Sequence, residues 1–294
     1  MTEGRCGMKN MKGVTLLSVL IILLAAIAAG AGLLTGGGPG EHAFRSVRGE
    51  SVTLYGQGLY KNESVSMAAQ AIGQDLVTLV LGVPLLCVSL WMALKGRRNG
   101  HLLLTGTLGY FLYTYASYTF LSMYNPLFLM YTILFSASLF AFIFTLNALQ
   151  KDRDRLFKDT LPVRRIGIFL LFIGSSIFML WLGKILRPDP VSGAPVGLEH
   201  YSTLVIQAMD LGVVVPLSIA AGILVLRRRT IGFLLASVMI VKGISLLTAI
   251  SAMLGMMLYE GVNVSLAELV LFPCFTMWAL YNFVLLLKHT RQPA

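Results

Sequence analysis

Long apolar stretches separated by short polar segments make up most of this sequence. A helix needs about 20 predominantly apolar residues to cross the hydrocarbon layer of a bilayer. Eight stretches are candidates: Val14–Leu34, Leu76–Leu94, His101–Leu121, Pro126–Leu149, Ile166–Leu186, Leu204–Leu226, Ile231–Leu258 and Leu266–Leu287. They lack the alternation typical of barrel strands, and a backbone in lipid must satisfy its own hydrogen bonds. The sequence therefore predicts an all-α integral membrane protein with eight transmembrane helices.

Two pairs of these stretches share a pattern of polar and helix-breaking residues. Each pair has an aspartate at the start of its first stretch, then a proline, a basic turn and a glycine that opens the second stretch. The two sets are Asp75, Pro84, Lys95, Arg97, Arg98 and Gly100, and Asp210, Pro216, Arg227, Arg228, Arg229 and Gly232. The glycine follows the proline by sixteen residues in both sets. This correspondence predicts an internal duplication.

The duplication divides the chain into three parts. Residues 1–149 form the first four-helix membrane repeat, with a long outer loop at 36–74. Residues 150–165 form a cytoplasmic linker, and residues 166–294 form the second four-helix repeat. Because each unit has four spans, the second unit begins on the same side as the first. The predicted repeat is therefore parallel, with its axis along the membrane normal.

Charged residues are few and unevenly placed. The chain of 294 residues is 56% hydrophobic and 12% charged, whereas a soluble domain carries about 25% charge. The formal net charge of +10 comes from lysines and arginines in short turns, which argues against a nucleic-acid partner. On the predicted topology, 17 basic residues lie on one side and 5 on the other. The positive-inside rule then places both termini in the cytoplasm, and we expect a multi-pass protein of the plasma membrane, specifically a bacterial cytoplasmic membrane.

The first stretch has a second interpretation. The basic residues Arg5, Lys9 and Lys12 precede it, and the small residues at 25–31 resemble a signal-peptidase site. Against cleavage, the apolar run continues to Leu34, which makes it long enough to span a membrane. The sequence leaves both outcomes for this helix open.

Four ionisable residues fall within or at the ends of predicted spans, where charged groups are costly and often functional. At about 1.5 Å of rise per residue, Lys242 lies ~16 Å from the inner end of its span and Asp210 ~24 Å from that of its own. Asp75 and Glu268 fall at the outer boundary, where they can also be solvated helix ends that complement the helix dipole. The pattern predicts an outward-facing polar site in which Lys242 meets Asp210 directly or through one water.

The third span has one polar face. At about 100° per residue, Tyr110, Tyr113 and Ser117 project within one arc. Tyr110 lies near the midplane, where its hydroxyl needs a partner, and in the predicted duplication it matches Lys242. We therefore expect Tyr110 on the same cavity wall as Lys242 and Asp210. A seam of hydrogen bonds between helices explains this face equally well.

Motifs for catalysis or cofactor binding are missing. The histidines lie at or beyond the span ends, which argues against haem ligation inside the bundle, and the three cysteines form no paired motif. Glu-His pairs in the two long outer loops make His42 and His200 candidates for a shared metal site, with loop solvation as the alternative. We expect no cofactor, and the sequence does not define an oligomeric state.

These features support three hypotheses about function. In the first, the protein binds or translocates a small ligand at an outward-facing site between the repeats. The candidate residues of that site are Lys242, Asp210, Tyr110, Asp75, Glu268, Tyr113 and Ser117. In the second, it is a structural, sensory or accessory subunit of a membrane complex, and its polar groups only pack helices. The third is a membrane enzyme acting on a lipid-soluble substrate. In each case the lipid bilayer covers the apolar surface.

Overall fold

The computed structural model describes residues 11–151, 156–190 and 193–291. The chain is mostly helical, at 74%. Among the described residues, seven helices are long and apolar enough to cross a membrane. The prediction of an all-α membrane protein is confirmed at this level. Arg5 and Lys9, which bear on the signal-peptide interpretation, lie outside the described residues.

The helices follow one another with short connections. Their bounds are α1 (Met11–Leu34), α2 (Val65–Val77), α3 (Val83–Leu94), α4 (Arg98–Leu121), α5 (Phe128–Lys151), α6 (Val163–Ile185), α7 (Val205–Met209), α8 (Val215–Leu226), α9 (Thr230–Tyr259) and α10 (Leu266–Lys288). The π-helical segments Thr78–Gly82 and Asp210–Val214 join α2 to α3 and α7 to α8, so each pair forms one continuous helix. Strands β1 (His42–Arg45) and β2 (Ser51–Leu54) pair antiparallel between α1 and α2, and a 3-10 turn follows at Gly58–Tyr60.

The predicted start of the second span is wrong. Its helix begins at Val65 instead of Leu76, so the predicted loop at 36–74 ends ten residues early. Ser64 starts the helix, because its hydroxyl accepts the backbone N–H of Met67 at 3.2 Å. The small residues that made this segment resemble a loop pack against neighbouring helices. Asp75 is therefore an interior residue of a long helix and not a solvated helix end.

Helix α4 is the predicted span that does not belong to the seven apolar helices. At 24 residues it is as long as α1 and α5, but threonine, tyrosine and glycine recur along it. It packs against α3, α5 and α9, and most of its polar residues are buried. Because its neighbours shield α4 from lipid, its sequence does not need to be apolar on every side.

The two π-helical segments occupy matching places. Each ends immediately before a Val-Pro pair, which contains Pro84 in one helix and Pro216 in the other. Proline cannot donate a backbone hydrogen bond, and its ring clashes with the carbonyl four residues earlier. A wider turn at this point accommodates the proline without breaking the helix. It also places Asp210 at the first residue of a π turn, with Asp75 three residues before the other one.

A glycine after each basic turn brings the adjacent helices together. A Cβ added to Gly100 would lie 2.5 Å from the backbone of α3, and one added to Gly232 would lie 2.6 Å from the backbone of α8. Both distances are far below van der Waals contact. The hairpins α3–α4 and α8–α9 therefore close in the same way, and both require glycine at the first turn of the second helix.

Four basic segments gather at one end of the bundle, here called the basic end. It comprises 95–97, 156–162, 227–229 and 289–291. Arg98 donates to the main-chain oxygen of Arg291 at 3.1 Å, and Arg228 donates to that of Asp159 at 3.2 Å. An ion pair of 3.2 Å joins Arg291 to Asp159. These contacts place both basic turns, the linker and the chain terminus side by side.

The opposite end, here called the loop end, carries the longer connections. It comprises 35–64, 122–127, 186–190, 193–204 and 260–265. Glu63 accepts the backbone N–H of Met123 at 2.8 Å and the hydroxyl of Tyr201 at 2.5 Å. Since Met123 immediately follows α4, this helix runs from the basic end to the loop end.

The helices form two groups with two buried cores. Most of one core comes from α1–α5, around Leu86, Leu108 and Phe111, with Ala249 of α9 added. Most of the other comes from α6–α10, around Ile166 and Leu234, with Leu102 of α4 and Leu149 of α5 added. The groups meet where α9 packs against α2 and α4, and where α7 packs against α4. Side chains on these facing helices are the ones that can form a site between the groups.

The contact between α2 and α9 depends on Gly73. A Cβ at this position would lie 2.7 Å from the backbone of Met253, so Gly73→Ala should destabilise the protein by about 1–3 kcal/mol. Thermal melts in detergent measure the effect. Gly255→Ala is the matched control on α9, because no atom lies within 4 Å of its added Cβ. Equal melting temperatures for the two variants would contradict the close approach of these helices.

Candidate functional site

Asp210 lies where the two helix groups meet. It begins a π turn and is 8% exposed. Tyr113 of α4 donates its hydroxyl to Oδ1 at 2.8 Å, and Trp181 of α6 donates its indole N–H to Oδ2 at 2.7 Å. Both carboxylate oxygens therefore have an uncharged donor, and the side chain joins α4 of one group to α6 of the other.

Lys242 lies beside this cluster without a hydrogen bond. It is 7% exposed, and its Nζ lies 3.9 Å from the centre of the Tyr113 ring. In the described part of the chain, Nζ has no hydrogen-bond partner. The contact with Tyr113 is a cation–π interaction, which satisfies none of the three ammonium hydrogens. We call Asp210, Tyr113, Trp181 and Lys242 the interface cluster.

No direct hydrogen bond joins Lys242 to Asp210 in the described residues, and a contact through one water stays a prediction. Asp210 attracts the ammonium electrostatically, but both of its oxygens are already bound to Tyr113 and Trp181. Tyr113 instead contacts both charged groups, through its hydroxyl on Asp210 and its ring face toward Lys242. The site brings the two charges close together and leaves them unpaired with each other.

Asp75 occupies a second buried cluster, inside the first helix group. It is 4% exposed, and it accepts the hydroxyl of Tyr60 at 2.5 Å and that of Tyr118 at 2.8 Å. The ring of Tyr131 lies 5.0 Å from that of Tyr118, and its hydroxyl has no hydrogen-bond partner among the described residues. We call Asp75, Tyr60, Tyr118 and Tyr131 the tyrosine cluster.

The side chain of Tyr110 points from α4 toward the tyrosine cluster and not toward Lys242. Its hydroxyl accepts the side-chain amide of Gln74 at 2.6 Å and lies 3.2 Å from the hydroxyl of Thr78. The expectation that Tyr110 shares a wall with Lys242 is therefore wrong, and Tyr113 takes that place. Tyr110 and Tyr113 are three residues apart, and the direction of each side chain decides which neighbouring helix it reaches.

Two other candidates have local roles in the structure. Ser117 donates its hydroxyl to the main-chain oxygen of Tyr113 at 3.0 Å, one turn back along α4. Glu268 forms a capping box with Ser265 at the start of α10, which agrees with its alternative interpretation as a helix end. Among the described residues, neither side chain forms a hydrogen bond with Lys242 or Asp210, and Glu268 does not belong to the interface cluster.

A cap closes the loop end over the bundle. Arg48, from the first loop, donates to the main-chain oxygens of Glu199 and of Tyr201, the latter at 2.9 Å. The buried carboxyl of Glu63 holds Tyr201 and the turn at Met123 together, as described above. The two longest loops of the chain therefore form one structure, which we call the cap.

Glu63 makes the cap sensitive to pH. Burial is the main cause that raises the pKa of its carboxyl from 4.5 to about 7. Below pH 4.5 this group is protonated whether the chain is folded or unfolded, so it carries no penalty. As the pH rises from 4.5 to 7, Glu63 ionises in the unfolded chain before it ionises in the folded chain. The free energy of unfolding therefore falls by up to about 3 kcal/mol by pH 7.

Stability should therefore fall between pH 4.5 and 7, and Glu63→Gln should remove this component. Glutamine keeps an acceptor oxygen for the N–H of Met123, and its amide can donate to the oxygen of Tyr201, so the contacts are kept without a charge. Melting temperatures across this pH range measure the effect. Glu41→Gln, at an exposed position, is the control that should leave the pH profile unchanged. A parallel profile for Glu63→Gln would contradict the assignment to Glu63.

The proposed metal ligands are bound to main-chain oxygens. Nδ1 of His42 lies 2.9 Å from the carbonyl of Gly40, and Nε2 of His200 lies 3.0 Å from that of Asn62. Among the described residues, no group of three or more His, Cys, Asp or Glu side chains could hold a metal ion. The geometry offers these histidines no third ligand.

Two cavities on the described surface lie away from both clusters. One, of about 390 Å³, is a groove between α1 and α5 lined by residues such as Leu17 and Phe140. The other, of about 150 Å³, lies at the basic end between Phe157 and Arg228. Within the interface cluster, Lys242 and Asp210 are buried, whereas Tyr113 and Trp181 are half-buried.

Five residues of the two clusters and their surroundings were not predicted from the sequence: Trp181, Tyr131, Tyr118, Tyr60 and Gln74. Trp181 and Tyr131 belong to apolar spans, and spacing along the chain does not indicate which neighbour each ring faces. Tyr60 and Gln74 fall in the segment that the sequence assigned to a loop. The spacing of Gln74 and Asp75 from Tyr110 gives no signal, because the contact joins separate helices.

Comparisons of the chain with protein-family models, with curated proteins and with solved structures find no match. The fold and its two polar clusters define the class: a polytopic α-helical membrane protein with charged groups buried between helices.

Proposed function

We propose that eight helices cross the membrane, with α4 as the eighth, and that the basic end faces the cytoplasm. A helix of 24 residues extends about 36 Å at 1.5 Å per residue, more than the roughly 30 Å of hydrocarbon. The basic turns, the linker and the C-terminal residues gather at one end, as the positive-inside rule requires of cytoplasmic segments. Both termini would then lie in the cytoplasm.

The proposed duplication is supported by matching contacts in the two helix groups. In the first group α3 packs against α4, α4 against α5, and α1 against α3; in the second, α8 packs against α9, α9 against α10, and α6 against α8. Between the groups, the contact of α2 with α9 corresponds to that of α7 with α4. Two units related by a two-fold axis along the membrane normal would have this pattern.

The function that this geometry supports best is binding of a small ligand between the two units, and its translocation across the membrane. One observation carries the proposal: Lys242 is buried at the interface with three hydrogen-bond donors and no acceptor. A buried, unpaired ammonium is costly, and such groups in membrane helices mark ligand or ion pathways. A ligand that supplies an acceptor would complete the site.

The chemistry of the cluster indicates the kind of ligand. Lys242 would bind an anionic or carbonyl group, because an ammonium only donates. Asp210, held by two neutral donors, would keep a negative charge next to that group and favour a ligand with a cationic or donor group nearby. Small zwitterions and carboxylic acids have this chemistry. Entry from outside would require the cap to move.

A structural or accessory role has its own support. Asp210 has two hydrogen bonds and Asp75 has at least two, all to side chains on neighbouring elements. A protein that only packs helices would use polar groups in this way. Lys242 is the residue that separates the proposals, because an unpaired ammonium adds nothing to packing.

Thermal-shift measurements on the purified protein test the ligand proposal. The probes are acetate, succinate, glutamate and glycine. At least one should raise the melting temperature saturably, and Lys242→Met should abolish that shift. Lys95→Met is the control, because Lys95 also lies over an aromatic ring, that of Trp91 at 4.0 Å, but is exposed and away from the interface cluster. Shifts of equal size in the wild type and Lys242→Met would favour the accessory role.

A further inference from the structure

The carboxyl of Asp75 is packed too tightly to hold a second group. Its Oδ2 is so close to Gly32 of α1 that a Cβ there would lie 1.8 Å from it. The two hydroxyls of Tyr60 and Tyr118 complete the contacts of the carboxyl oxygens. A hydrated or multiply coordinated cation needs several oxygen ligands and space between them, whereas a proton needs no volume.

The side chains around Asp75 carry no compensating positive charge. The titratable groups that face it are all tyrosines: Tyr60 from the 3-10 turn, Tyr110, Tyr115 and Tyr118 from α4, and Tyr131 from α5. From α1, the contact is Gly32, and the contact between α2 and α9 is through apolar residues and backbone. A buried carboxylate without a cation is costly even when phenols donate to it.

A second observation points to a transferable proton. Tyr131 is 2% exposed and interacts electrostatically with Asp75, and its hydroxyl lies near Tyr60 and Asn125 without a well-aligned hydrogen bond among the described residues. A phenol can donate to a carboxylate and can accept from a protonated carboxyl. A hydroxyl that can be either donor or acceptor suits a group that exists in both protonation states.

We propose that the tyrosine cluster is a proton-binding site, in which Asp75 takes up a proton from the loop end through Tyr60. Tyr60 donates its hydroxyl proton to the carboxylate and takes a proton from the loop end in its place, so that Asp75 becomes a carboxylic acid; the reverse transfer releases the proton. Tyr60 belongs to the 3-10 turn of the cap's first loop, so it lies between the carboxyl and the loop end. This site does not depend on what binds Lys242.

Helix α4 links the proton site to the interface cluster. Tyr118, which donates to Asp75, and Tyr113, which donates to Asp210, lie on the same helix five residues apart. A proton that changes the hydrogen bonds of Tyr118 would therefore act on the helix that carries Tyr113. This connection would couple proton uptake to ligand binding if both sites operate.

Infrared difference spectroscopy on the purified full-length protein tests the proton site. Spectra recorded between acidic and alkaline pH should contain the carbonyl band of a protonated carboxylic acid that Asp75→Asn loses. Glu63→Gln should remove only the carbonyl band of Glu63 and leave the carbonyl band of Asp75 unchanged. Tyr131→Phe deletes a hydroxyl that has no well-aligned hydrogen bond among the described residues, so it should fold normally and move the midpoint of the Asp75 band by about half a pH unit or more.

Three outcomes would overturn the proposal. The first is a spectrum without a pH-dependent component that Asp75→Asn removes. The second is an Asp75 band whose midpoint is the same in Tyr131→Phe. The third is an Asp75 band that changes with sodium concentration at constant pH, which would assign the site to a metal cation.

Discussion

Replacing Lys242 with methionine should make the protein more stable and unable to bind its ligand. Burial of a lysine at the centre of a membrane helix costs about 2.5–3.5 kcal/mol on the insertion scale. The cation–π contact with Tyr113 returns about 0.5–2 kcal/mol of this. Because Nζ makes no hydrogen bond, methionine leaves no donor or acceptor unpaired. We expect a net gain of about 1–2 kcal/mol in the free energy of unfolding.

Thermal and chemical denaturation in detergent measure this gain. Lys95→Met should change stability little, because Lys95 is exposed. A residue that lowers stability and is retained is expected at a binding site, where function and stability oppose each other. A destabilised Lys242→Met variant would show that the ammonium has a partner and would remove the main argument for a ligand site.

Replacing Asp210 with leucine should have the opposite effect. It leaves the hydroxyl of Tyr113 and the indole N–H of Trp181 without an acceptor, at about 1–3 kcal/mol for each buried donor. It also removes the negative charge nearest to Lys242. We expect a loss of about 3 kcal/mol, and a smaller loss for Asp210→Asn, which keeps one acceptor oxygen.

A double-mutant cycle separates these contributions. In the Lys242→Met background, Asp210→Leu should cost about 1 kcal/mol less than in the wild type. No buried ammonium then loses its nearest negative charge. Denaturation of the wild type, both single variants and the double variant gives the coupling energy. Additive effects would show that the two charges do not interact across Tyr113.

That the chain is an α-helical membrane protein was predictable from the sequence, because the length and apolarity of a span are local properties. The boundary at Val65 was not, since small residues that pack between helices look like a loop when read alone. Likewise, α4 was predicted as a span from the length of its apolar stretch, and the sequence alone did not explain the threonine, tyrosine and glycine residues along it. Its true environment, surrounded by other helices, explains that polarity.

The charged residues of the site were also predictable, but their contacts were not. Lys242 and Asp210 stand out in apolar sequence, and helical rise places them at similar depths. Which tyrosine meets them depends on how α4 is rotated against its neighbours, so Tyr113 was found and Tyr110 misplaced. Trp181 donates one hydrogen bond to Asp210 from a different helix, α6. No spacing rule along the sequence indicates such a contact.

Accessibility of residue 242 from outside tests the central claim most directly. Lys242→Cys, in a background with Cys6, Cys87 and Cys274 replaced by serine, is treated in intact cells with a small, impermeant, negatively charged methanethiosulfonate. Gln57→Cys at the loop end is the positive control, and Lys158→Cys at the basic end is the negative control for topology; both positions are exposed. Ser138→Cys, at a fully buried position of α5, controls for general opening of the bundle. The account predicts labelling at 57 and 242 and none at 158 and 138. Labelling at 57 without labelling at 242 would contradict an outward-opening ligand site and leave Lys242 sealed within the helices.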